Sequence, residues 1–211
     1  KTYGVRLGGP LIEDKLFFFV NYERQENETP QPFNISSYRG DATAADLDNL
    51  SNFLVNNYGY NPGGYANNTS SLESDKLIAK IDWNINEKNK LSLKHSYVKA
   101  IQFDAPSSNT GSISFINGAI NFESITNSTA LELNSQIGSN MSNNLVVGYT
   151  TVNDDRDPAG SPFPAVQIFD AAGTSIFFGS EAFSTANLLE QKILTLTDNF
   201  QIYSGRHTIT I

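Results

Sequence analysis

Strict alternation of apolar and polar positions runs through four stretches of the chain, each a pair of segments around a turn. From Lys76 to Ile85, Leu77, Ala79, Ile81, Trp83 and Ile85 fall on one side; Lys76, Lys80, Asp82 and Asn84 fall on the other, and only Ile78 breaks the polar side. A period of two marks a strand with two unlike faces. After the turn Asn86-Glu87-Lys88-Asn89 the alternation resumes with Leu91, Leu93, His95 and Tyr97 against Ser92, Lys94 and Ser96, which predicts a hairpin. A second pair sets Thr129, Leu131, Leu133 and Ile137 opposite Glu132, Asn134 and Gln136, turns at Asn140-Met141-Ser142-Asn143, and continues with Leu145, Val147 and Tyr149. A third runs from Leu188 through Tyr203, turns at Ser204-Gly205-Arg206 and resumes as His207 to Ile211. The first hairpin of the chain joins Tyr3–Leu7 to Leu16–Arg24 around Gly8-Gly9-Pro10 and Glu13-Asp14, for about eight strands in all.

The connections between hairpins are of another kind. Gln25–Asp75, Ile101–Ser124 and Asn153–Asn187 are long, polar and rich in Asn, Ser, Gly and Pro, so short and long connections alternate. Compact soluble folds seldom carry loops beyond about 12–15 residues, whereas membrane barrels have tight turns at one end and long loops at the other. The first long loop contains one predicted helix, with Asp41 or Thr43 as its cap and Leu47, Leu50 and Leu54 on one side, ending before Gly59 and Pro62. It is expected to lie on the rim of its own barrel rather than to serve a partner.

Two environments fit the alternation: the core of a sandwich, or lipid outside a barrel. Sandwich strands tend to be about five or six residues, and a bilayer-crossing strand needs about 9–11. Lys76–Ile85, Thr126–Ile137 and Leu189–Ile202 all reach the second figure. The predicted class is therefore all-β, an antiparallel transmembrane β-barrel segment with short periplasmic turns, long extracellular loops and one short helix. Trp83, Tyr97, Phe200 and Tyr203 stand near strand ends, where interfacial aromatic girdles would lie. Asp198 resists, because it shares a side with Leu196 and Phe200; it calls for an interfacial position or a bulge.

Composition narrows the function. The 211 residues are 39% hydrophobic and 17% charged, and 22 acids against 14 bases leave a net charge of −8, which argues against a nucleic-acid partner. Cysteine is absent, which removes disulfides and thiolate chemistry. The longest apolar clusters, Leu16–Val20 and Leu145–Val147, are far too short for a transmembrane helix. The opening residues lack a signal-peptide pattern, and HTITI ends in mid-alternation. Residues 1–211 are accordingly expected to be an internal part of the barrel domain of a longer chain.

Candidate chemical sites are few. His95 and His207 lie in different strands with no acid at metal-ligand spacing, so each is expected to serve as a strand aromatic. No nucleophile elbow, P-loop or dinucleotide fingerprint occurs, and enzymatic activity and cofactors are not expected. In Asn153-Asp154-Asp155-Arg156-Asp157, oxygen ligands from Asp154, Asp155 and Asp157 could hold calcium. The run lacks the later bidentate Glu and glycine spacing of an EF-hand, and Arg156 can neutralise it. A solvated loop start without metal is the expectation. Asn34-Ile35-Ser36 and Asn127-Ser128-Thr129 match a glycosylation string, to which no role is assigned.

The string GGPLIEDKLFFFVNYE at Gly8–Glu23 resembles the opening barrel hairpin of TonB-dependent outer-membrane receptors, in the Oar-like group with a carboxypeptidase-regulatory-like leading domain. Tyr58-Gly59-Tyr60-Asn61-Pro62-Gly63 with Asp75–Tyr97, and later Thr197–Ile211, are similar to further segments of that group, whereas Ile101–Ser124 and Asn153–Asn187 match only in position. The resemblance implies a 22-stranded barrel with an N-terminal plug, neither plug nor leading domain lying within these residues. It also implies an outer-membrane location, contact with outer-membrane lipid, energised uptake driven by a periplasmic TonB-type partner acting upstream, and a surface lipoprotein as a further partner. The rival expectation is a surface adhesin or glycan-binding β-sandwich. A third, a self-contained eight-stranded barrel, would require Tyr3 and Ile211 to pair.

Overall fold

The computed structural model describes residues 1–184 and 187–211. Seven long strands and one short one form one antiparallel meander: β1 (Thr2–Ile12), β2 (Leu16–Gln31), β3 (Asn68–Asn86), β4 (Asn89–Asp104), β6 (Ile120–Ile137), β7 (Met141–Pro158), β10 (Asn187–Ser204) and the four-residue β11 (His207–Thr210), each beside the next. Between them, among the described residues, lie one α-helix, α1 (Ala44–Tyr58), three single 3-10 turns and three short strands, β5 (Ser112–Ser114), β8 (Val166–Phe169) and β9 (Ser175–Phe178). All four predicted hairpins are present. Among the described residues β1 and β11 are the two sheet edges and do not pair, so the closed eight-stranded barrel is not formed. The second sheet among the described residues, β5 with β9 and β8, has strands of only three or four residues, too small to be the other half of a sandwich.

Register fixes which residues share a face. Leu16, Phe18, Val20 and Tyr22 of β2 stand opposite Trp83, Ile81, Ala79 and Leu77 of β3. Those in turn stand opposite Leu91, Leu93, His95 and Tyr97 of β4. Leu93 continues through Leu131 and Val147 to Leu196, an apolar row across β4, β6, β7 and β10. This face is left open to its surroundings; Leu131 is 41% exposed and Leu196 70%. From Leu77 to Ile85 the band covers about 30 Å of extended chain, or about 20 Å of height at a 45° tilt. That approaches the roughly 25 Å apolar belt of an outer-membrane barrel.

The same face becomes charged one row above Tyr22 and Tyr97. Arg24 bonds Glu26, Glu73 and Asp75 at 2.9, 2.7 and 3.1 Å, and Lys99 bonds Glu123 at 2.8 Å. Tyr22 donates its hydroxyl proton to Asp75 at 2.5 Å. Each such exposed pair contributes only about 0–1 kcal/mol; their structural meaning is where they lie, at the upper border of the apolar band. The other border contains Asp198, which pairs with Leu145 without a bulge and stays on the outward face near the row of Trp83. Near an interface an acid there is tolerated. The opposite face is polar: Lys76 bonds Glu23 and Lys80 bonds Asp82, at 2.8 and 2.7 Å.

The strands outrun the sequence expectation. β3 has 19 residues and β7 has 18, and segments assigned to loops at Gln25–Gln31, Asn68–Ser74 and Asn153–Pro158 are strand. Apart from Pro30, Leu72 and Pro158 their residues are polar on both sides, so the period-two signal fades while the backbone ladder continues. A central apolar row makes a direct demand: in detergent or lipid, Leu131→Arg should destabilise the folded protein by about 2–4 kcal/mol. Ser92→Arg, pointing to the polar face, should cost well under half of that. Equal costs in a denaturant titration would mean that the band does not face hydrocarbon.

Candidate functional site

The three long connections, residues 32–67, 105–119 and 159–184, meet in one folded cap at a single end of the sheet. β5 pairs parallel with β9, and β8 pairs antiparallel with β9, so two different connections supply one small sheet. The third supplies α1. Thr43 is its N-cap, accepting from Asp46 N–H while the Asp46 carboxylate accepts from Thr43 N–H. That reciprocal box satisfies two end amides; the Thr43 hydroxyl, donating to the Asp46 carboxylate at 2.6 Å, and then the Thr43 N–H hold that carboxyl below the usual carboxylate range. Gly59 ends the helix with φ 64°, a left-handed conformation that glycine adopts without a Cβ clash.

Leu47 and Leu54 of α1 are buried in one cluster with Tyr38, Tyr60, Ile113, Phe115, Ile176 and Phe178. Helix and small sheet therefore share a core, and the helix does not simply lie on the barrel rim. Tyr60 stacks on Phe163 with ring centres 3.9 Å apart, and its hydroxyl accepts the Gly179 N–H at 3.0 Å. Burial pushes the Tyr60 phenol above its ordinary value. Asn117 closes a two-bond clasp across connections, donating to Ser161 O at 3.0 Å and accepting Ser161 N–H at 2.8 Å. Asp170 accepts the N–H groups of Ala171 and Ala42 at 2.8 and 3.0 Å, and these bonds hold its carboxyl below the usual range. Gly40 lies so close that an added Cβ would strike Asp170, Thr174 and Tyr38.

The cap leans over the polar face. Gln31 and Asn68, both on that face, donate side-chain N–H to Ala105 O and Pro106 O at 3.1 and 2.9 Å. Arg156, also on that face, donates Nε–H to Ser184 Oγ at 3.1 Å. Beneath the cap two adjoining recesses of about 270 and 250 Å³ share Asp104, Ile120 and Arg156, and Glu181 lines the second.

The acidic run falls inside β7 rather than at a loop start. Alternation sends Asp155 and Asp157 to the outward face and Asp154 to the polar one, so strand geometry does not bring the three together. No group of three or more His, Cys, Asp or Glu among the described residues could hold a metal ion. His95 Nδ1 shares a hydrogen bond with Thr129 Oγ1 at 2.8 Å, and His207 is exposed beside the last turn. Sequence reasoning missed the small sheet, whose trace is three short segments rich in apolar residues, Ile113 to Phe115, Val166 to Phe169 and Ile176 to Phe178, the first two interrupted by Ser114 and Gln167. It also missed the recess, since Asp104 and Glu181 lie far from Arg156 in the chain.

Residues 25–211 match the family described as outer membrane beta barrel domain. The chain belongs to this family. It is accordingly an outer-membrane protein. The fold is also similar to that of the outer membrane transporter YddB from Escherichia coli, with a TM-score of 0.57 and 10% identity over 95% of this chain. At that identity the likeness is one of fold alone, and the chain spans 22% of the length of YddB. No curated protein sequence matches the chain.

The Asp170 contacts predict an acid-sensitive cap in this barrel protein. A carboxyl whose folded pKa is depressed stabilises above its unfolded value of about 3.9, and that contribution is lost as pH falls through the folded value. Asp170→Ala should accelerate hydrogen exchange of the Ala42 and Ala171 amides at least tenfold near neutral pH, consistent with about 1.5–3 kcal/mol for bonds to a charged group. The wild type should loosen in the same way below about pH 4, after correction for intrinsic exchange. Unchanged protection in the variant would show that the carboxylate does not hold the cap.

Proposed function

We propose that this chain forms wall and outer cap of an outer-membrane transporter of the TonB-dependent, Oar-like kind, non-enzymatic and energised from the periplasm. The observation that carries it is the cap: three connections fold into one unit that leans over the polar face, bonded to Gln31, Asn68 and Arg156 on that face. A folded cap beside a polar lumen can select what enters. The family and the fold likeness to YddB support the same function. Outer-membrane lipid covers the apolar band, the TonB-type partner acts through a region upstream of these residues, and a surface lipoprotein is the further partner at the cap. Short turns face the periplasm and the cap faces outward.

Two measurements test this. Cysteines at Asn61 and Ser161 should react with an impermeant maleimide on intact cells, and cysteines at Lys88 and Ser139 only after the outer membrane is opened. Labelling of all four on intact cells would overturn the orientation. In the full-length protein, cross-linking in living cells should recover the TonB-type energiser. A protein abundant in the outer membrane that never cross-links to it would be a passive barrel, and the energised function would fall.

A further inference from the structure

The recess under the cap carries charges of both signs that do not satisfy each other. Arg156 forms no ion pair among the described residues, although Asp104 and Glu181 line the same recess. Its Nε–H is held by Ser184, which is fully buried, so the guanidinium is anchored from the protein side. Among the described residues its two terminal nitrogens have no hydrogen-bond acceptor, which leaves the paired donors that match a carboxylate. Glu181 is the counterpart. Its Oε1 accepts the Phe183 N–H at 3.1 Å, while Oε2 is buried without a partner. A buried carboxylate oxygen left without a donor is costly and points to a missing group.

Next to this recess, and sharing Pro106, Gly118 and Glu181 with it, is a cleft of about 400 Å³ lined by Val166, Phe177, Phe178 and Phe183. Phe183 is 81% exposed. Charged groups of both signs therefore adjoin an aromatic wall.

We propose that Arg156 and Glu181 bind the carboxylate and ammonium of a zwitterion whose apolar side chain enters the adjoining cleft: a hydrophobic amino acid or a short peptide of such residues. A simple anion would meet Arg156 but be repelled by Asp104 and Glu181, and a simple amine would meet the reverse. A neutral sugar would leave both signs unpaired. The zwitterion alone gives each charge its counterpart and the apolar rings a cover. Asp104 supplies a second carboxylate for the ammonium. This deepens the transport function, because the site lies between the cap and the polar face, but binding is measurable without transport.

The test uses the full-length protein in detergent, with the dipeptide Leu-Leu as probe, followed by titration calorimetry. Leu-Leu should bind saturably, and its N-acetyl and C-amide derivatives at least tenfold more weakly. Arg156→Gln should weaken Leu-Leu at least tenfold yet change the C-amide little, and Glu181→Gln should do the mirror image with the N-acetyl form. Phe183→Ala should weaken all three alike. Unaltered thermal unfolding and cap protease resistance certify each variant; where one misfolds, the blocked dipeptides on wild type decide. No saturable Leu-Leu binding, or equal binding of the blocked forms, overturns the proposal. Binding with no energiser cross-link would keep this site and remove energised transport, and the reverse pair of results would do the opposite.

Discussion

Every backbone amide that enters hydrocarbon must find its partner inside the protein, because lipid offers none. In this chain that constraint is met by a ladder that runs unbroken through most of each strand pair, and the rest of the fold follows from it. β6 and β7 pair residue by residue from Ile120↔Pro158 to Ile137↔Met141 without a shift. Once register is fixed so tightly, side chains have only two directions, and a slip by one residue would turn Leu131 inward and Glu132 into lipid. The alternation in sequence is thus the imprint of backbone hydrogen bonding in a solvent that cannot hydrogen-bond.

Above the membrane the constraint relaxes, and another replaces it. The connections stand in water, where a segment orders only if it buries enough apolar surface to offset its lost conformational entropy. None of the three does this alone. α1 offers a narrow stripe, and β5, β8 and β9 have three or four residues each. Together they enclose Ile113, Phe115, Leu47 and Leu54 almost completely. Polar clasps then hold one arrangement: Asn117 to Ser161, Tyr60 to Gly179, and Asp170 to Ala42. The cap is a small domain assembled across connections, with strand spacing in the wall bringing its parts within reach.

This difference explains what the sequence made legible. Hairpins, turns, the lipid face and the Thr43 cap are encoded between near neighbours, and each could be seen in the residues that form it. Asp198 could be recognised as an anomaly, but only pairing with Leu145 removed the bulge as an explanation. The polar strand ends looked like loops because their alternation vanished where both faces meet water. The cap and recess were illegible for another reason. Their contacts join residues such as Tyr60 and Gly179, far apart in the chain, whose meeting depends on the finished wall. The acidic run shows the converse: adjacency suggested a shared ligand, and strand geometry separated Asp154 from Asp155 and Asp157.

The polar face is not uniformly polar: it carries Phe17 and Phe19 opposite Asp82 and Lys80, and Val146 opposite Glu132. Below, it carries Lys80, Asp82, Ser92 and Glu132, as a wet lumen requires. Near the cap it carries Ile120 and Phe122, with Arg156 opposite Phe122. Apolar residues on a lumenal face gain nothing from water, and a charge beside them loses solvation. Here the conflict surrounds a guanidinium that has no ion-pair partner among the described residues, which marks a site where another demand has prevailed. Ile120 and Phe122 lower the local dielectric around Arg156, which strengthens any charge pair formed there. The Ser184 bond fixes the guanidinium before a partner arrives, so less ordering entropy is lost on pairing. The apolar neighbours and the Ser184 bond thus supply the two conditions, partial dehydration and preorganisation, that turn this arginine into a recognition group.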